Sequence, residues 1–282
     1  MDTMSTRQLT LLESIVGAGR IAVAELAGIA HVSTVTIRKD LDDLEARGLI
    51  RRERGVAMLV SPDDPAGRLA YHYAEKVRIA AAAAATVNDG ETVMIEAGSC
   101  CAILAEQISI QCTGITIVTN SAFIAQRLGA HPMVSTVLLG GEQQHDSRVL
   151  VGPMVELCAR QFIVDRLFIG TDGFTARDYM RATAVRALAS RAERVVVLTE
   201  SEKLGRHGPV PLLDAHDVAA LWTDSAAPDA QVDALTGAGV EVVTVAADGT
   251  AVVHPAQARP EPDRVVGGDS APTALTAREE PS

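Results

Sequence analysis

Apolar positions in the first sixty residues keep a helical period. Leu9, Leu12, Ile15 and Val16 predict an amphipathic helix that ends at Gly17-Ala18-Gly19-Arg20. Val23, Leu26, Ala27 and Ala30 follow at i, i+3, i+4 and i+7 and predict a short second helix. His31-Val32-Ser33 then makes a turn. Ser33 is the residue type that caps a helix by accepting a bond from a backbone N–H two or three residues on. Ile37, Leu41 and Leu44 stripe one face of a third helix, and Gly48 supplies the left-handed residue that ends it. Leu49 to Arg51 and Ala57 to Val60 are spaced to pair as a hairpin around Arg52-Glu53-Arg54-Gly55. Three short helices, tight turns and a hairpin predict a winged helix-turn-helix unit.

Beyond this block the period changes. From Arg68 to about Ala247, runs rich in β-branched residues alternate with Ala-rich helical stretches. The runs are ETVMIEAGS, GITIVTNS, VSTVLLGG, DRLFIGTDG, RVVVLTESEKLG, VAALWTD and VEVVTV. Such alternation predicts an α/β domain with a mainly parallel sheet. The fold class is therefore α/β, in four zones. Residues 1–60 form the winged helix-turn-helix domain, and Ser61 to Gly67 (SPDDPAG) a linker by its Pro, Asp and Gly content. Residues 68–247 form the larger domain. Residues 248–282, rich in proline, glycine and charge, are expected to be a disordered tail.

Composition narrows the classes. The chain has 282 residues, 48% of them hydrophobic, a net charge of −11 and a pI near 5.1, which argues against a wholly basic nucleic-acid coat protein. A small DNA-reading module on an acidic domain is compatible with that charge, because the local field governs binding. The first MDTMSTRQLTLLESIV lacks a basic segment followed by a long apolar run, so no signal peptide is expected. The Ala-rich run from Ile79 to Val87 falls short of the ~20 residues of a membrane span, and the chain reads as cytoplasmic without a membrane partner. Cys100, Cys101, Cys112 and Cys158 match no metal-binding or disulfide spacing and read as small buried hydrophobes. His72, His131, His145, His207, His216 and His254 are scattered, so neither a metal nor a cofactor is expected. Trp222 sits in a predicted strand and reads as core.

Two sets of residues carry candidate chemistry. On the third helix, Ser33, Thr34, Val35, Thr36, Arg38 and Lys39 lie in the first two turns, the part of a recognition helix that enters the major groove. Thr and Val meet thymine methyls, and Arg and Lys bond phosphate or guanine. Arg51, Arg52 and Arg54 on the hairpin fall where a wing meets the DNA backbone. Residues 1–60 hold eight basic and eight acidic side chains, so their placement, not net charge, carries the inference.

The second set follows the strands of the larger domain. Ligands of parallel α/β sheets bind outside the carboxyl ends of the strands. Gly98-Ser99-Cys100 and Asn120-Ser121 place small or hydroxyl residues at helix starts, where free N–H groups suit an anion such as phosphate. Gly140-Gly141 ends another strand. Lys203 adds a point charge, Asn120 offers donor and acceptor to a sugar hydroxyl, and Glu96 accepts from a hydroxyl.

The stretch AELAGIAHVSTVTIRKDLDDLEARGLIRRERGVAML resembles the signature of the DeoR-type bacterial repressors of sugar metabolism. The match runs through Glu25-Leu26-Ala27, Val32-Ser33, Thr36-Ile37-Arg38, Asp40-Leu41, Leu44-Glu45, Gly48 and Arg51. The wing departs, with Arg54-Gly55-Val56 where that family usually has His-Gly-Gly. EKVRIAAAAA, VMIEAGSCC, VTNSAFIAQRL, LLGGE, LVGP, DRLFIGTDGFT and VVVLTESEKLG are similar, in order, to that family's sensor domain. The resemblance implies a sensor fold related to the ribose-phosphate isomerases and a phosphorylated sugar or related effector. Here too there are departures. The family's Asp-x-Gly-Thr-Thr is Glu96-Ala97-Gly98-Ser99-Cys100, and its Asp-x-Ser-Lys is Glu200-Ser201-Glu202-Lys203. Its frequent Arg after Gly-Gly is Gln144, and its usual Glu before the Lys strand is Thr183.

The leading expectation is a repressor that binds double-stranded operator DNA as a homodimer or homotetramer and releases it on effector binding. A recognition helix generally needs a second half-site, so at least a dimer is expected. The rival is a sugar-phosphate isomerase-like enzyme with a helical appendage, Glu96 as base and Lys203 as electrophilic stabiliser. The chain holds no P-loop, GxSxG elbow or HExxH to support it. A DNA-binding module with a vestigial sensor is a third possibility.

Overall fold

Caps set the N-terminal elements. The computed structural model describes residues 4–61, 64–170, 179–205 and 213–257. Ser5 and Gln8 form a reciprocal cap at the start of α1 (Thr6–Ala18), satisfying N–H groups the first turn leaves open. Gly19 (φ 68°) turns the chain into β1 (Arg20–Ala22), which leads to α2 (Val23–Ile29) and α3 (Thr34–Ala46). Ser33 caps α3, accepting from the Thr36 N–H at 3.2 Å. Its end is a Schellman turn. Gly48 (φ 74°) donates to the Glu45 carbonyl at 2.9 Å, and the Leu49 N–H donates to the Leu44 carbonyl at 3.1 Å. Ile37, Leu41 and Leu44 are buried, as their stripe predicts.

The wing is tighter than expected. β2 (Ile50–Glu53) pairs antiparallel with β3 (Val56–Leu59), and only Arg54 and Gly55 form the turn. Their φ values of 44° and 84° give consecutive left-handed residues, the type I′ geometry whose twist matches a hairpin. β1, which the sequence did not predict, adds to the wing by pairing Ile21 with Ala57. Three residues are too few to show alternation, and the strand exists only because β3 offers it an edge.

The expected linker is partly a helix. Asp64 caps α4 (Pro65–Ala70), and Pro65 takes the first helical position, where its missing N–H costs nothing. The residues that looked like turn formers are helix-start chemistry. Leu69 and Ala70 are buried in one continuous core that runs from α1 and α3 to α5 (Tyr73–Ala84) and α6 (Ser99–Gln111).

The larger domain is built on one sheet. After α5 come β4 (Thr92–Ile95), α6, β5 (Thr116–Thr119), α7 (Ala122–Leu128) and β6 (Ser135–Leu138). A small ribbon, β7 (Glu142–Gln143) with β8 (Leu150–Val151), and α8 (Pro153–Ala159) lead to β9 (Val164–Gly170). Then follow α9 (Tyr179–Ala189), β10 (Ala192–Leu198), β11 (Ala220–Asp224), α10 (Asp229–Gly237), β12 (Glu241–Val245) and β13 (Ala251–His254). The eight strands lie in the order β13-β12-β11-β10-β9-β4-β5-β6. All neighbours are parallel except β13, which runs antiparallel on β12. Side chains alternate across the sheet. Val93 and Ile95 join the core with α5, α6 and α7, while Met94 joins the core with α8, α9 and α10.

β13 corrects the expectation of a tail from residue 248. Val252 and Val253 are a short β-branched pair, half-exposed, which the sheet edge recruits. Residues 258–282 of that expected tail, and Thr171 to Gly173 of the DRLFIGTDG run, lie outside the described residues.

Candidate functional site

The outer face of α3 is shaped by what its acids do. Asp40 is buried and takes a two-pronged bond from Arg7 of α1, at 2.7 and 3.0 Å. Asp43 accepts from Gln8 at 2.8 Å and from Arg47 at 3.1 Å. Asp42 pairs with Arg52, and Glu45 takes both the Arg52 backbone N–H and its Nε at 2.9 Å. Every carboxylate of α3 thus has a partner within the domain, Asp42 and Glu45 sharing Arg52. Arg38 and Lys39 are exposed and, among the described residues, their side chains form no ion pair, nor do those of Arg51 and Arg54. Val35 is 71% exposed, with Ser33 and Thr34 exposed beside it and Thr36 half-buried against the Ser33 cap. An equal count of acids and bases therefore presents a basic face.

Arg52 differs from its neighbours. It turns onto α3, bonding Asp42, Glu45 and, at 3.4 Å, the Arg38 carbonyl. The Glu45 hydrogen bond, ahead of the contribution from Asp42, holds its guanidinium above the usual range against the pull of burial. Its geometry clamps the wing to the helix, whereas the sequence grouped it with Arg51 and Arg54.

The sheet edge has a reversal. The chain winds β4, β5, β6 in one direction, returns beside β4 as β9, and winds β10, β11, β12 in the other. The crevice outside the carboxyl ends of β4 and β9 is therefore a topological switch point, where open α/β sheets take ligands. Gly98 and Gly170 face each other there, and a Cβ on Gly98 would lie 3.4 Å from the Gly170 Cα. Gly98 precedes the 13-residue α6 at this crevice and makes no side-chain cap bond to it. Glu96 is fully buried, its N–H bonded to the Phe168 carbonyl at 2.9 Å, and Ser99 is buried.

The other candidates divide. Asn120 is fully buried at the end of β5. Its Nδ2 donates to the Leu150 carbonyl at 3.2 Å, while its Oδ1 has no partner among the described residues. Ser121 is committed to capping α7 through the Ile124 N–H at 3.2 Å. Cys100 is buried and its Sγ meets the Lys76 carbonyl at 3.8 Å, which directs it to α5. Gly140 and Gly141 follow β6, four strand intervals, roughly 19 Å, from β10, the strand that leads to Lys203. A Cβ on Gly141 (φ 151°) would meet the Val151 carbonyl oxygen at 2.7 Å, so close packing on β8 explains that glycine.

Lys203 lies in a single turn after β10 and pairs with Glu200 at 3.1 Å. Sequence reasoning missed the partner beneath. Lys76, only 2% exposed, donates to Glu200 at 3.0 Å and to the Arg68 and Tyr71 carbonyls at 2.7 and 2.5 Å. Burial lowers the Lys76 ammonium, while the charge and hydrogen bond of Glu200 oppose that shift. Burial raises the Glu200 carboxyl, but Lys76 and then Lys203 outweigh it and hold it below the usual range. A lysine inside an Ala-rich helix reads as solvated, and only the fold reveals its partner 124 positions away.

Two family models match the chain. That of the DeoR-like helix-turn-helix domain covers residues 7–63, and that of the DeoR C terminal sensor domain covers residues 71–225. The chain belongs to the DeoR family. This DeoR-family protein is a DNA-binding transcription regulator with a small-molecule sensor domain, not an enzyme. The transcriptional repressor AccR of Agrobacterium fabrum is 28% identical over 235 residues, covering 79% of this chain and 91% of that protein. The HTH-type transcriptional repressor GlcR of Bacillus subtilis is 27% identical over 252 residues, covering 86% and 96%. Among solved structures, ribose 5-phosphate isomerase A from Methanocaldococcus jannaschii shows a weak likeness, with 15% identity and a TM-score of 0.33 over 45% of this chain and 52% of that one.

Several secondary expectations for the DeoR-family chain meet the structure directly. Cys100, Cys101 and Cys112 are buried, Cys158 is half-buried, and all four are free thiols. Trp222 is partly buried against the core. Three histidines are less isolated than their spacing implied. His72 lies 2.7 Å from Glu202, and His254 bonds Thr244 at 3.1 Å. His216 shares an exposed cluster with Asp214 and Asp217, whose carboxylates cap their own turn. Among the described residues no helix is long and apolar enough to cross a membrane.

Proposed function

We propose that this DeoR-family regulator represses carbohydrate-metabolism genes by binding double-stranded operator DNA as a homodimer or homotetramer. A phosphorylated sugar or related metabolite relieves the repression. The observation that carries the DNA half is the internal pairing of Asp40, Asp42, Asp43 and Glu45 with Arg7, Arg47 and Arg52, which leaves Arg38 and Lys39 outward on the first turns of α3. Ser33, Thr34, Val35 and Thr36 lie beside them for base and phosphate contact, and Arg51 and Arg54 extend the face along the wing. The named repressors among the relatives support the direction of control.

The effector half rests on the switch point. The phosphate sits at the start of α6, beside Gly98 and Ser99. Glu96 and the open Asn120 Oδ1 take sugar hydroxyls. Lys203, two strand intervals or about 10 Å from β4, meets the far charge. The test is a titration of the purified chain against DNA from upstream of its own gene, at two salt concentrations. The Arg38→Ala/Lys39→Ala variant is run beside it. Selective, salt-sensitive binding lost in the variant is expected. Equal, weak binding of every sequence by both proteins refutes the reading. Adding sugar phosphates to the complex then tests release.

A further inference from the structure

The effector cleft and the DNA-binding head share one short helix. Asn120 and Ser121 sit at its start, and Arg127 in its last turn reaches the head. Arg127 Nη1 donates to the Arg47 carbonyl at 3.3 Å, and Arg47 is the residue that closes α3. Arg127 also pairs with Glu106 of α6. A second arginine does the matching job at the other end of the connection. Arg148 bonds Asp64, the cap of α4, at 3.0 Å. The two guanidinium groups lie over the same buried ring, Phe123 of α7, at 5.5 and 5.6 Å from its centre.

Arg148 is bound to the cleft as well. The Ala122 N–H donates to the Arg148 carbonyl at 3.0 Å, and Ser121 bridges to Val149. Asn120 clamps Leu150 twice, through its own carbonyl at 2.7 Å and its Nδ2 at 3.2 Å. α7 and the Arg148 segment bonded to it therefore tie Asn120, whose buried Oδ1 has no partner among the described residues, to both ends of the segment joining α3 to α4.

We propose that α7, with Phe123, Arg127 and Arg148 as positioning residues, passes occupancy of the cleft at Asn120 to the end of α3 and the start of α4. The proposal rests on the effector reading above. A ligand hydroxyl that donates to Asn120 Oδ1 satisfies a buried acceptor, and the Asn120–Leu150 clamp adjusts with it. Leu150 lies two residues after Arg148, and Asn120 immediately precedes Ser121, the cap of α7. Each guanidinium is a planar fork held over the Phe123 ring, so a shift of that ring is felt at the bonded carbonyl or carboxylate. The ligand's differential contact with Asn120 in the two arrangements is what moves the equilibrium.

The test uses the full chain, DNA from upstream of its own gene, and three probes: ribose 5-phosphate, fructose 6-phosphate and glucosamine 6-phosphate. Wild type is compared with Arg127→Met, Arg148→Gln and the conservative Arg127→Lys. Wild type is expected to lose DNA affinity about fivefold or more with at least one probe, the lower end of allosteric coupling. Arg127→Met and Arg148→Gln should bind that probe by calorimetry within about twofold of wild type, yet release DNA less than about twofold, with Arg127→Lys intermediate. Folded variants that release DNA like wild type overturn the proposal. If Arg127→Met does not fold, the more exposed Arg148→Gln decides.

A ligand-free arm separates the two ideas. Asn120→Ala is combined with Arg148→Gln, and DNA affinity is measured for the singles and the pair. Coupling predicts that the effects fail to add by about threefold or more, whereas independent sites add. If no probe releases wild type, the effector reading has failed, and this cycle still decides the relay: non-additivity upholds it and additivity overturns it.

Discussion

Replacing Arg52 by alanine should lower stability while leaving the number of phosphate contacts unchanged. Arg52 is 27% exposed, and its partners Asp42 and Glu45 are 62% and 38% exposed, so solvent screens both pairs. An exposed pair contributes little, and the two together with the Arg38 carbonyl bond amount to about 1 kcal/mol. In a chain of this size that is a fall in Tm of about 2–4 °C. DNA binding responds differently. Each phosphate contact contributes about 0.9 to the slope of log K against log salt. Between 50 and 200 mM salt, one contact is then worth about 3.5-fold in affinity. Arg51→Ala/Arg54→Ala should flatten the slope by about 1.8 units and cost no stability. Arg52→Ala should keep the slope within about 0.3 of wild type, with DNA affinity reduced by the two uncovered carboxylates beside the reading face. Fluorescence anisotropy across a salt series, with thermal melts of the same samples, measures both. If Arg52→Ala flattens the slope as much as loss of Arg51 does, Arg52 is a phosphate ligand and the clamp reasoning is wrong.

Asp224 accepts from the Ser201 N–H and Oγ, both at 2.7 Å, and from the Ala226 N–H at 3.0 Å. Burial raises its carboxyl, but the bonds from Ser201 and then Ala226 outweigh that and hold it below 3.8. A depressed carboxylate contributes stability that is present above its ordinary value and lost as pH falls through the folded one. Asp224→Asn should cost about 1–3 kcal/mol at neutral pH and show a shallower acid limb than wild type in melts below about pH 4; parallel curves would rule this out. Gly141→Ala should destabilise by about 1–3 kcal/mol, because its Cβ has no room. Probe affinity of the folded fraction should stay unchanged, and a selective loss of that affinity would place Gly141 in the cleft.

The sequence carried those features whose cause is local. The Ser33 cap, the Ile37–Leu41–Leu44 stripe and the Gly48 ending each lie within a few residues of what they specify. The β-branched runs became strands because burial on both faces demands them. Features with distant causes were not legible. β1 depends on β3, the Lys76–Glu200 pair on the end of β10 meeting α5, and β13 on an open edge at β12. Arg52 was ambiguous for another reason: of three arginines in four positions, Arg51 and Arg52 take opposite sides of β2 and Arg54 takes the turn, and only the register decides which one meets α3. α4 was hidden because Asp and Pro serve a turn and a helix start equally well.

The buried α4 has a consequence for the DNA. Leu69 and Ala70 fix the head into the same core as the sensor, and Arg127 and Arg148 fasten both ends of the joint. A head hung on a flexible tether reads half-sites at many separations. In the proposed homodimer, two heads held this way would present their reading helices at one distance and one rotational phase. The operator of such a dimer would keep its half-sites on the same side of the duplex, and an insertion of about five base pairs, half a helical turn, would carry the second half-site out of reach.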